Sequence, residues 1–566
     1  MTPTVGTWWR TLKRLKREQI VGRLRHERRW RAFRRHPEKL QKLLEQPGPL
    51  TGEVVVSCSA PALDPERIAW ARASMVGPVR LAGVETTASA WANLDLPKLV
   101  RYHLHYLDIA RARAEAAPQA PDRDDMMASA VALVQEWARQ NPAASAGEGW
   151  EPYCVSARLM NLCAIAALMG PLSSPELCGL VALHARYVAA FPEVHLLGNH
   201  LLKNYCARAA AGLLLSGEEA QTHAEQGLGD LQRELAQQLL ADGGHCERSP
   251  MYHALLWADL LDIRDLAKAR GRKILWLDEA IDKMGQWLAR VLHPDGDIPL
   301  FNDAVLGQAP RPSELFARWE TQTTVPPALL TDLPETGFWV VRPSRQEALL
   351  LDAGQLGPPH QPGHAHSDTL SYELSVGGER RVVNAGMDGY QSPHRAFFRS
   401  AVAHNTVTVD DEGPDELWAD FRVGGRSRIL FRHAEQREGR IFLRASLEAF
   451  QGWVQDRRVL YFPERALIVI DKVHCAKPSK VVSRARFLPG RTPLRFVPLA
   501  GEGAQRASAY APEFGIRFEV TEHAVSVHAK DARLGYALLW NAQDVRLHEN
   551  VEGWFVVLDG VEHRVA

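Results

Sequence analysis

The sequence predicts an α+β multidomain chain: an N-terminal (α/α) toroid of helical hairpins followed by a C-terminal antiparallel β-sandwich. Three observations predict it. From about Ala60 to Pro326 apolar residues recur at three- and four-residue steps, the period of helices with one buried face. From about Gly337 the period changes to two, as in strands. Helices precede strands rather than alternating with them, which separates the two into different domains.

The elements follow in order. The segment to about Pro49 reads as one or two helices. Between Trp9 and His36, 12 Arg and Lys residues face only Glu18 and Glu27. Such an arm either packs through its Trp and Leu residues or offers its charge to an acidic polymer or membrane surface. Residues 1–55 are assigned to it, 56–333 to the toroid and 334–566 to the sandwich. The toroid helices are expected at Leu99–Ala114, Met126–Gln140, Ser156–Met169, Ser174–Ala190, His200–Leu215, Ala220–Leu240, Met251–Ala269 and Ile274–Leu292. Joints such as Gly170-Pro171 and Gly243-Gly244 punctuate them. A solenoid satisfies the same pattern, but no fixed-length repeat is visible, which favours closure. Strands are expected at Phe338–Arg342, Ala348–Leu351, Leu370–Val376, Arg381–Val383, Thr406–Val409, Arg428–Phe431, Ile441–Ala445, Arg457–Phe462, Ala466–Asp471, Val481–Phe487, Ile516–Val520, Tyr536–Trp540 and Trp554–Leu558.

Composition narrows the class. Lys plus Arg and Asp plus Glu are both 67, so net charge selects no partner, and no nucleic-acid motif is present. The 7 cysteines are scattered without a CxxC pair, which indicates neither a zinc ribbon nor a disulfide framework. No signal-peptide core follows Met1, and no run approaches the ~20 apolar residues of a membrane span. The expectation is a cytoplasmic protein, with association to polysaccharide synthesis at the membrane as the variant reading.

Four segments concentrate chemistry. Gly198-Asn199-His200 opens a helix, where Asn199 would serve as N-cap. In Asp242-Gly243-Gly244-His245-Cys246-Glu247-Arg248-Ser249-Pro250-Met251-Tyr252, Ser249-Pro250 starts another helix and places Tyr252 in its first turn. Gly363-His364-Ala365-His366-Ser367-Asp368 sits at the mouth of an alternating strand, so His364 and His366 are expected on one face. Asn384 to Tyr390 and Arg399 to Asn405 follow. His293 to Asp303 reads as a structural turn.

In this order these segments resemble the heparinase II/III family of polysaccharide lyases, from about Trp91 onward. Leu96 to Tyr106, with His105, also looks family-like. The resemblance implies β-elimination on a uronic-acid polysaccharide, with the cleft between toroid and sandwich. It implies Asn199 and His200 neutralising the uronate carboxylate, Tyr252 as general acid and as base for one C5 configuration, and His364 as base for the other. Arg248 and nearby histidines are expected to lower the Tyr252 pKa. Glu247, Arg248, His105, Tyr390 and Arg399 are candidate substrate contacts, with Arg395 available for carboxylate or sulfate. Lys203 either adds charge to the carboxylate pocket or points to solvent. Trp91, Trp150, Trp257, Trp418 and Trp453 are candidate stacking platforms. The reaction requires no cofactor. His366, Asn384 and His404 match positions that hold a structural metal such as zinc in some relatives, but Asn replaces an Asp ligand; Asp368 or Asp388 would compensate. A homo-oligomer is compatible with the sequence. The competing readings are a glycoside hydrolase, which needs two carboxylates facing each other across the cleft, and a non-catalytic glycan-binding factor of envelope or exopolysaccharide assembly.

Overall fold

The computed structural model describes residues 3–45, 52–143, 147–320, 328–550 and 553–565. The expected ends of the arm at Pro49 and of the helical region at Pro326 lie outside the described residues. The expected helices form at Arg123–Gln140, Pro152–Met169, Pro175–Ala190, Gly198–Leu214, Glu218–Gln238, Pro250–Ala269 and Leu275–Val291. The Gly198–Leu214 helix sits among Pro152–Met169, Glu218–Gln238 and Pro250–Ala269. Its close approach to Glu218–Gln238 depends on Gly212, where a Cβ would lie 2.1 Å from the Ala224 nitrogen. The single helix expected over Leu99–Ala114 is two, Lys98–Tyr106 and Asp108–Ala116, because Leu107 turns left-handed at φ +64°. Asn161 holds that break, donating from Nδ2 to the Tyr106 carbonyl and to Asp108 Oδ1, both at 2.9 Å.

Pro152–Leu172 is long and apolar enough to cross a membrane, contrary to the expectation that no run is; 67% of its apolar window is buried inside the protein. A helix apolar all round is what a toroid centre requires.

The sheet begins at Leu330–Leu333, before the expected boundary. The main path runs antiparallel through Arg428–Arg437, Arg440–Glu448, Val454–Phe462, Ala466–Phe487, Glu379–Val382, Tyr372–Val376, Ala348–Asp352, Phe338–Val341 and Leu330–Leu333. Two 22-residue strands, Ala466–Phe487 and Phe518–Leu539, pair along their length and carry Arg495–Ala500 and Glu502–Tyr510. Val545–Asn550, Gly553–Leu558 and Val561–Val565 form a separate three-stranded sheet.

Phe338–Val341 and Ala348–Asp352 are buried throughout. Alternation still operates, since Phe338, Val340, Ala348 and Leu350 join the toroid core while Trp339, Val341, Leu349 and Leu351 join the sandwich core. A strand buried on both faces loses its polar face. This double burial welds the two halves and creates the cleft between them.

The basic arm bridges that cleft. Arg10 grips Glu416 of the sandwich through Nε and Nη2 at 2.7 and 2.6 Å. Trp8 packs edge-on against Trp418 at 4.6 Å. Farther along, His26 packs on His195 of the toroid at 4.2 Å, and Leu40 and Leu44 are buried.

Candidate active site

The toroid and sandwich enclose a cleft of about 1640 Å³ lined by Asn199, His200, Tyr252, His364 and Tyr390. Tyr252 comes from the first turn of Pro250–Ala269, where Pro250 occupies the first position and Ser249 Oγ accepts from the Tyr252 backbone N–H at 3.3 Å. His364 comes from the sandwich side. Their ring centroids are 4.0 Å apart. The Tyr252 and Tyr390 hydroxyls are hydrogen-bonded at 2.5 Å.

Asp303 assembles this pair. It lies in the segment read from the sequence as a structural turn. Its carboxylate accepts from His364 Nδ1 on Oδ2 at 2.8 Å and from His366 Nε2 on Oδ1 at 2.6 Å. Arg395 clamps both oxygens, with Nη2 to Oδ2 at 2.7 Å. Its backbone participates as well: the Asp303 carbonyl accepts from Ser249 Oγ at 2.6 Å, and its N–H donates to the His364 carbonyl at 2.9 Å. One residue thus fixes the start of the tyrosine helix and the histidine loop together. Burial opposes the Asp303 charge; Arg395, His364 and His366 outweigh it and hold the carboxyl well below the usual range.

His364 and His366 precede the strand Tyr372–Val376 and lie in a loop, so strand alternation does not govern them. They reach opposite oxygens of one carboxylate. His366 is fully buried beneath the site, and burial lowers its pKa to about 4. Arg395, expected to meet substrate anions, is spent on Asp303. Arg399 is buried and donates to the Ala365 carbonyl at 3.0 Å, bracing the histidine loop.

On the opposite side, Asn199 does not cap its helix. The cap position is Leu197, and Asn199 donates from Nδ2 to Glu247 Oε2 at 3.0 Å and from its backbone N–H to Oε1 at 2.8 Å. Glu247 also stands 3.8 Å from His364 Nε2. It is buried behind the cleft wall rather than exposed to substrate. Gly198 makes this approach feasible: its φ is +59°, and a Cβ there would lie 2.4 Å from Glu247 Oε1. His200 stacks near Tyr153 at 4.6 Å and points Nδ1 at Glu193 Oε1, 3.2 Å away. Burial alone would lower the His200 pKa; the Glu193 carboxylate outweighs it, and the value is raised. The imidazolium is therefore favoured facing the cleft.

Several expectations fail on geometry. Arg248 has φ +56°, and its guanidinium leaves Tyr252 to donate to the Gln355 and Glu335 carbonyls, locking the two halves together. The Tyr252 pKa is consequently not lowered. Burial, with Tyr390, Tyr153 and Asp303 beside it, holds it well above the ordinary phenol value. His105 is buried away from the cleft and accepts from Trp137 Nε1 at 3.1 Å. Lys203 neither points to solvent nor stands free, but pairs with Asp259 at 2.6 Å. Trp91, Trp150, Trp257, Trp418 and Trp453 are buried in packing; the cleft aromatics are instead Trp30, Trp70, Tyr102, Tyr106, Tyr153 and Phe421.

The metal candidates converge below the site. His404 Nε2 meets the Phe398 carbonyl at 3.1 Å, which leaves Nδ1 as its lone-pair side, 3.1 Å from Asn384 Oδ1. His366 Nδ1 is buried without a hydrogen-bond partner. These three atoms suit a divalent ion in type, although no cluster of three His, Cys, Asp or Glu side chains arranged for a metal occurs among the described residues. Asp368 does not supply the missing carboxylate, because its Oδ2 accepts from the Asn302 N–H at 2.7 Å.

Comparison with known proteins gives consistent results. The family model for the heparinase II/III N-terminus matches residues 94–322, and the heparinase II/III-like C-terminal model matches residues 325–564. FtsZ-localized protein C of Caulobacter vibrioides is 26% identical over 449 residues, covering 77% of this chain and 71% of that protein. The heparin-sulfate lyase of Bacteroides stercoris is 23% identical over 403 residues, covering 64% of this chain and 58% of that protein. The chain therefore aligns with less than two thirds of that lyase. Among solved structures, heparinase III superposes with TM-score 0.71 at 14% identity, covering 94% of this chain and 96% of that one. Heparan sulfate lyase HepC of Pedobacter heparinus gives 0.57 at 17% identity, covering 89% of each chain. At these identities the structural likeness is one of fold.

Proposed function

The chain belongs to the heparinase II/III family, and on that footing we propose that this polysaccharide lyase cleaves a uronic-acid polysaccharide by β-elimination, with His364 as base and Tyr252 as acid. The meeting of these two rings at 4.0 Å carries the reading. Asp303 accepts the Nδ1 proton of neutral His364 and leaves Nε2 as a lone pair. That lone pair takes the C5 proton, the C4–O4 bond breaks, and a C4–C5 double bond forms. The leaving oxygen receives the Tyr252 phenol proton. Tyr390, bonded to that phenol, is the route for reprotonation.

The carboxylate beside C5 must lose its charge as the carbanion develops. Protonated His200, which lines the cleft, is the group for this, beside Asn199, whose Nδ2 lies against both oxygens of Glu247 at 3.1 and 3.0 Å. Glu247 orients Asn199 and lies 3.8 Å from His364 Nε2. Tyr252 acts as acid alone in this scheme, because nothing beside it stabilises a phenolate.

His366 Nδ1, His404 Nδ1 and Asn384 Oδ1 would hold a structural divalent ion. It would tie the histidine loop to the sheet and take no part in proton transfer. Metal analysis of the purified chain and of the Asn384→Asp variant, with melting curves in chelator, tests this.

The experiment for the reaction is a panel of uronate polymers followed by ultraviolet absorbance and product mass. Unsaturated product is expected from wild type and none from Tyr252→Phe or His364→Ala. A product that has gained water without a double bond would remove the lyase reading in favour of hydrolysis. Tight binding without turnover, unaffected by Tyr252→Phe, would favour a non-catalytic glycan-binding role.

A further inference from the structure

The two walls of the cleft handle charge differently. Most cations of the toroid wall are matched, among them Arg67 with Glu314 at 2.7 Å, Arg111 with Asp262 at 2.8 Å, and Lys203 with Asp259 at 2.6 Å. Where the basic arm meets the sandwich they are not. Arg23 of the arm and Arg422 and Arg426 of the sandwich line the same cleft as Tyr252 and His364. Arg422 makes no ion pair among the described residues. Arg426 donates to the carbonyls of Pro358 and Pro359 at 3.3 and 2.7 Å, and its Nε has no partner. Asp415, near Arg426, is spent on Ser427 and Ser367. The Arg23 carboxylate contact is its own helical neighbour Glu27, 3.4 Å away, and the Arg23 side chain remains 57% exposed.

Arg422 also faces Arg23, and Arg426 faces Arg14, another cation of the arm. After burial, Arg23 further lowers the Arg422 pKa, and Arg14 further lowers that of Arg426, to about 10. A concave group of cations held together against repulsion is a site for anions. The cleft exceeds the about 300–1000 Å³ of a site for one small ligand, so it has room for sugars beyond the one being cleaved.

We propose that Arg23, Arg422 and Arg426 form an anion subsite that binds a carboxylate or sulfate of the polysaccharide away from the scissile bond. Arg23 precedes the residues matched by the family models, whereas Arg422 and Arg426 lie within the C-terminal match, so the arm brings its cation to a part of the sandwich that belongs to the family frame. The identity of the ligand as a uronate polymer rests on the lyase reading. A polymer fits better than a bilayer because Arg23, Ile20 and Leu24 of the arm turn into the concave cleft, where a flat surface cannot follow.

The test is binding of heparan sulfate, and of the same polymer after desulfation, to full-length Tyr252→Phe protein by titration calorimetry over a salt series. Tyr252→Phe keeps turnover out of the measurement. Adding Arg23→Gln and Arg422→Gln is expected to raise Kd at least about tenfold and to flatten the salt dependence. Arg25→Gln, on the same helix but outside the cleft lining, is expected to change neither. Neither substituted side chain makes a buried ion pair among the described residues, and melting curves check that the variants fold. Loss of affinity for both polymers assigns the subsite to carboxylate; loss for the sulfated one alone assigns it to sulfate. An unchanged Kd in the Arg23/Arg422 variant, or an equal loss in Arg25→Gln, overturns the proposal. So does binding to phosphatidylglycerol vesicles that the two substitutions abolish while polymer affinity stays intact. Subsite-dependent binding without unsaturated product from wild type would defeat the lyase reading and leave the subsite standing.

Discussion

Asp303→Asn tests the assembly of the site most directly. The Asp303 carboxylate accepts from four donors, two imidazole nitrogens and both terminal nitrogens of Arg395. Each oxygen accepts from one histidine and one Arg395 nitrogen, and an amide can accept on its oxygen only, so its NH2 must face Arg395 and one of the histidines together. Facing His364, it donates to Nδ1, moves the ring proton to Nε2 and removes the lone pair that takes the C5 proton. A positioned general base contributes about 10²–10⁴-fold, or about 3–5 kcal/mol of barrier at 1.36 kcal/mol per decade. Leaving the buried Arg395 without a countercharge costs about 3–5 kcal/mol of stability. Both effects are measurable on one preparation. Initial rates by ultraviolet absorbance should show kcat/KM down by about 10²–10⁴-fold, and a melting curve should show a lowered midpoint.

The pairing logic supplies its own control. If Asp303 acts through His364, then Asp303→Asn in a His364→Ala background should cost little further activity, since positions acting as a unit are non-additive. A folded Asp303→Asn protein with kcat/KM within about threefold of wild type would refute the argument, because tautomer control would then be worth under 1 kcal/mol. Full additivity of the two substitutions would refute it equally.

Glu193→Gln removes the largest of the carboxylate contributions that raise the His200 pKa against burial, with Glu247 and Glu151 remaining, so the pKa falls; the rise of KM with pH should therefore begin at lower pH, and a pH series of KM on both proteins checks it. The same shift acts on stability: a pKa raised on folding contributes stability that is complete below 6.5 and is lost as pH climbs through the folded value, so melting curves of wild type should lose this contribution at alkaline pH while Glu193→Gln has less to lose. Gly198→Ala places a Cβ against Glu247 at φ +59° and should cost about 1–3 kcal/mol with a fall in kcat; an unchanged midpoint and rate would show that Glu247 need not stay there. Tyr252→Phe should leave the fold intact and lower kcat by about 10²–10⁴-fold, and retained turnover would move the acid role to Tyr390.

The helices from Arg123 to Val291 were legible because their apolar period survives in the sequence, and each of these lies within a few residues of expectation, whereas the arm forms three helices, Val5–Leu12, Arg17–Arg35 and Pro37–Glu45, where one or two were expected. The break at Leu107 was not legible, because it is held by Asn161 from another helix. Among the strands, Arg495–Ala500 and Glu502–Tyr510 were missed because most of their residues are exposed or half-buried, without alternation. The two 22-residue strands were each read as two short ones. A bulge between His474 and Ser479 and the polar residues around it interrupt the pattern of the first strand while the pairing continues. At the site, Tyr252 and His364 were legible as motif residues. Their convergence is achieved by Asp303, which is 61 positions from His364 and carries no periodic signal. Glu193 and Tyr153 were missed for the same reason. Polar residues that act by supporting others have no spacing rule, so His105 and Arg248 looked functional while Asp303 looked structural.

The same burial that keeps Tyr252 protonated also makes Asp303 depend on its cationic partners, and this separates the acid from the base. A phenol in a dry cleft beside a second phenol and a carboxylate gains nothing by ionising, so it retains the proton it must give. An imidazole bonded at Nδ1 to an ionised carboxylate has its proton held on that side and its basic nitrogen toward the cleft. The two rings, 4.0 Å apart, thus differ in their hydrogen-bond partners, the phenol facing a second phenol and the imidazole a carboxylate, which is the asymmetry the proposed acid–base pair would use. It follows that the tyrosine cannot exchange roles with the histidine unless a new cation reaches its hydroxyl. Among candidates for that role, Arg248 is turned away to the Gln355 and Glu335 carbonyls and Arg395 is committed to Asp303. The geometry therefore favours substrates whose C5 proton faces His364, and a polymer of the opposite C5 configuration should bind in the cleft without being cleaved.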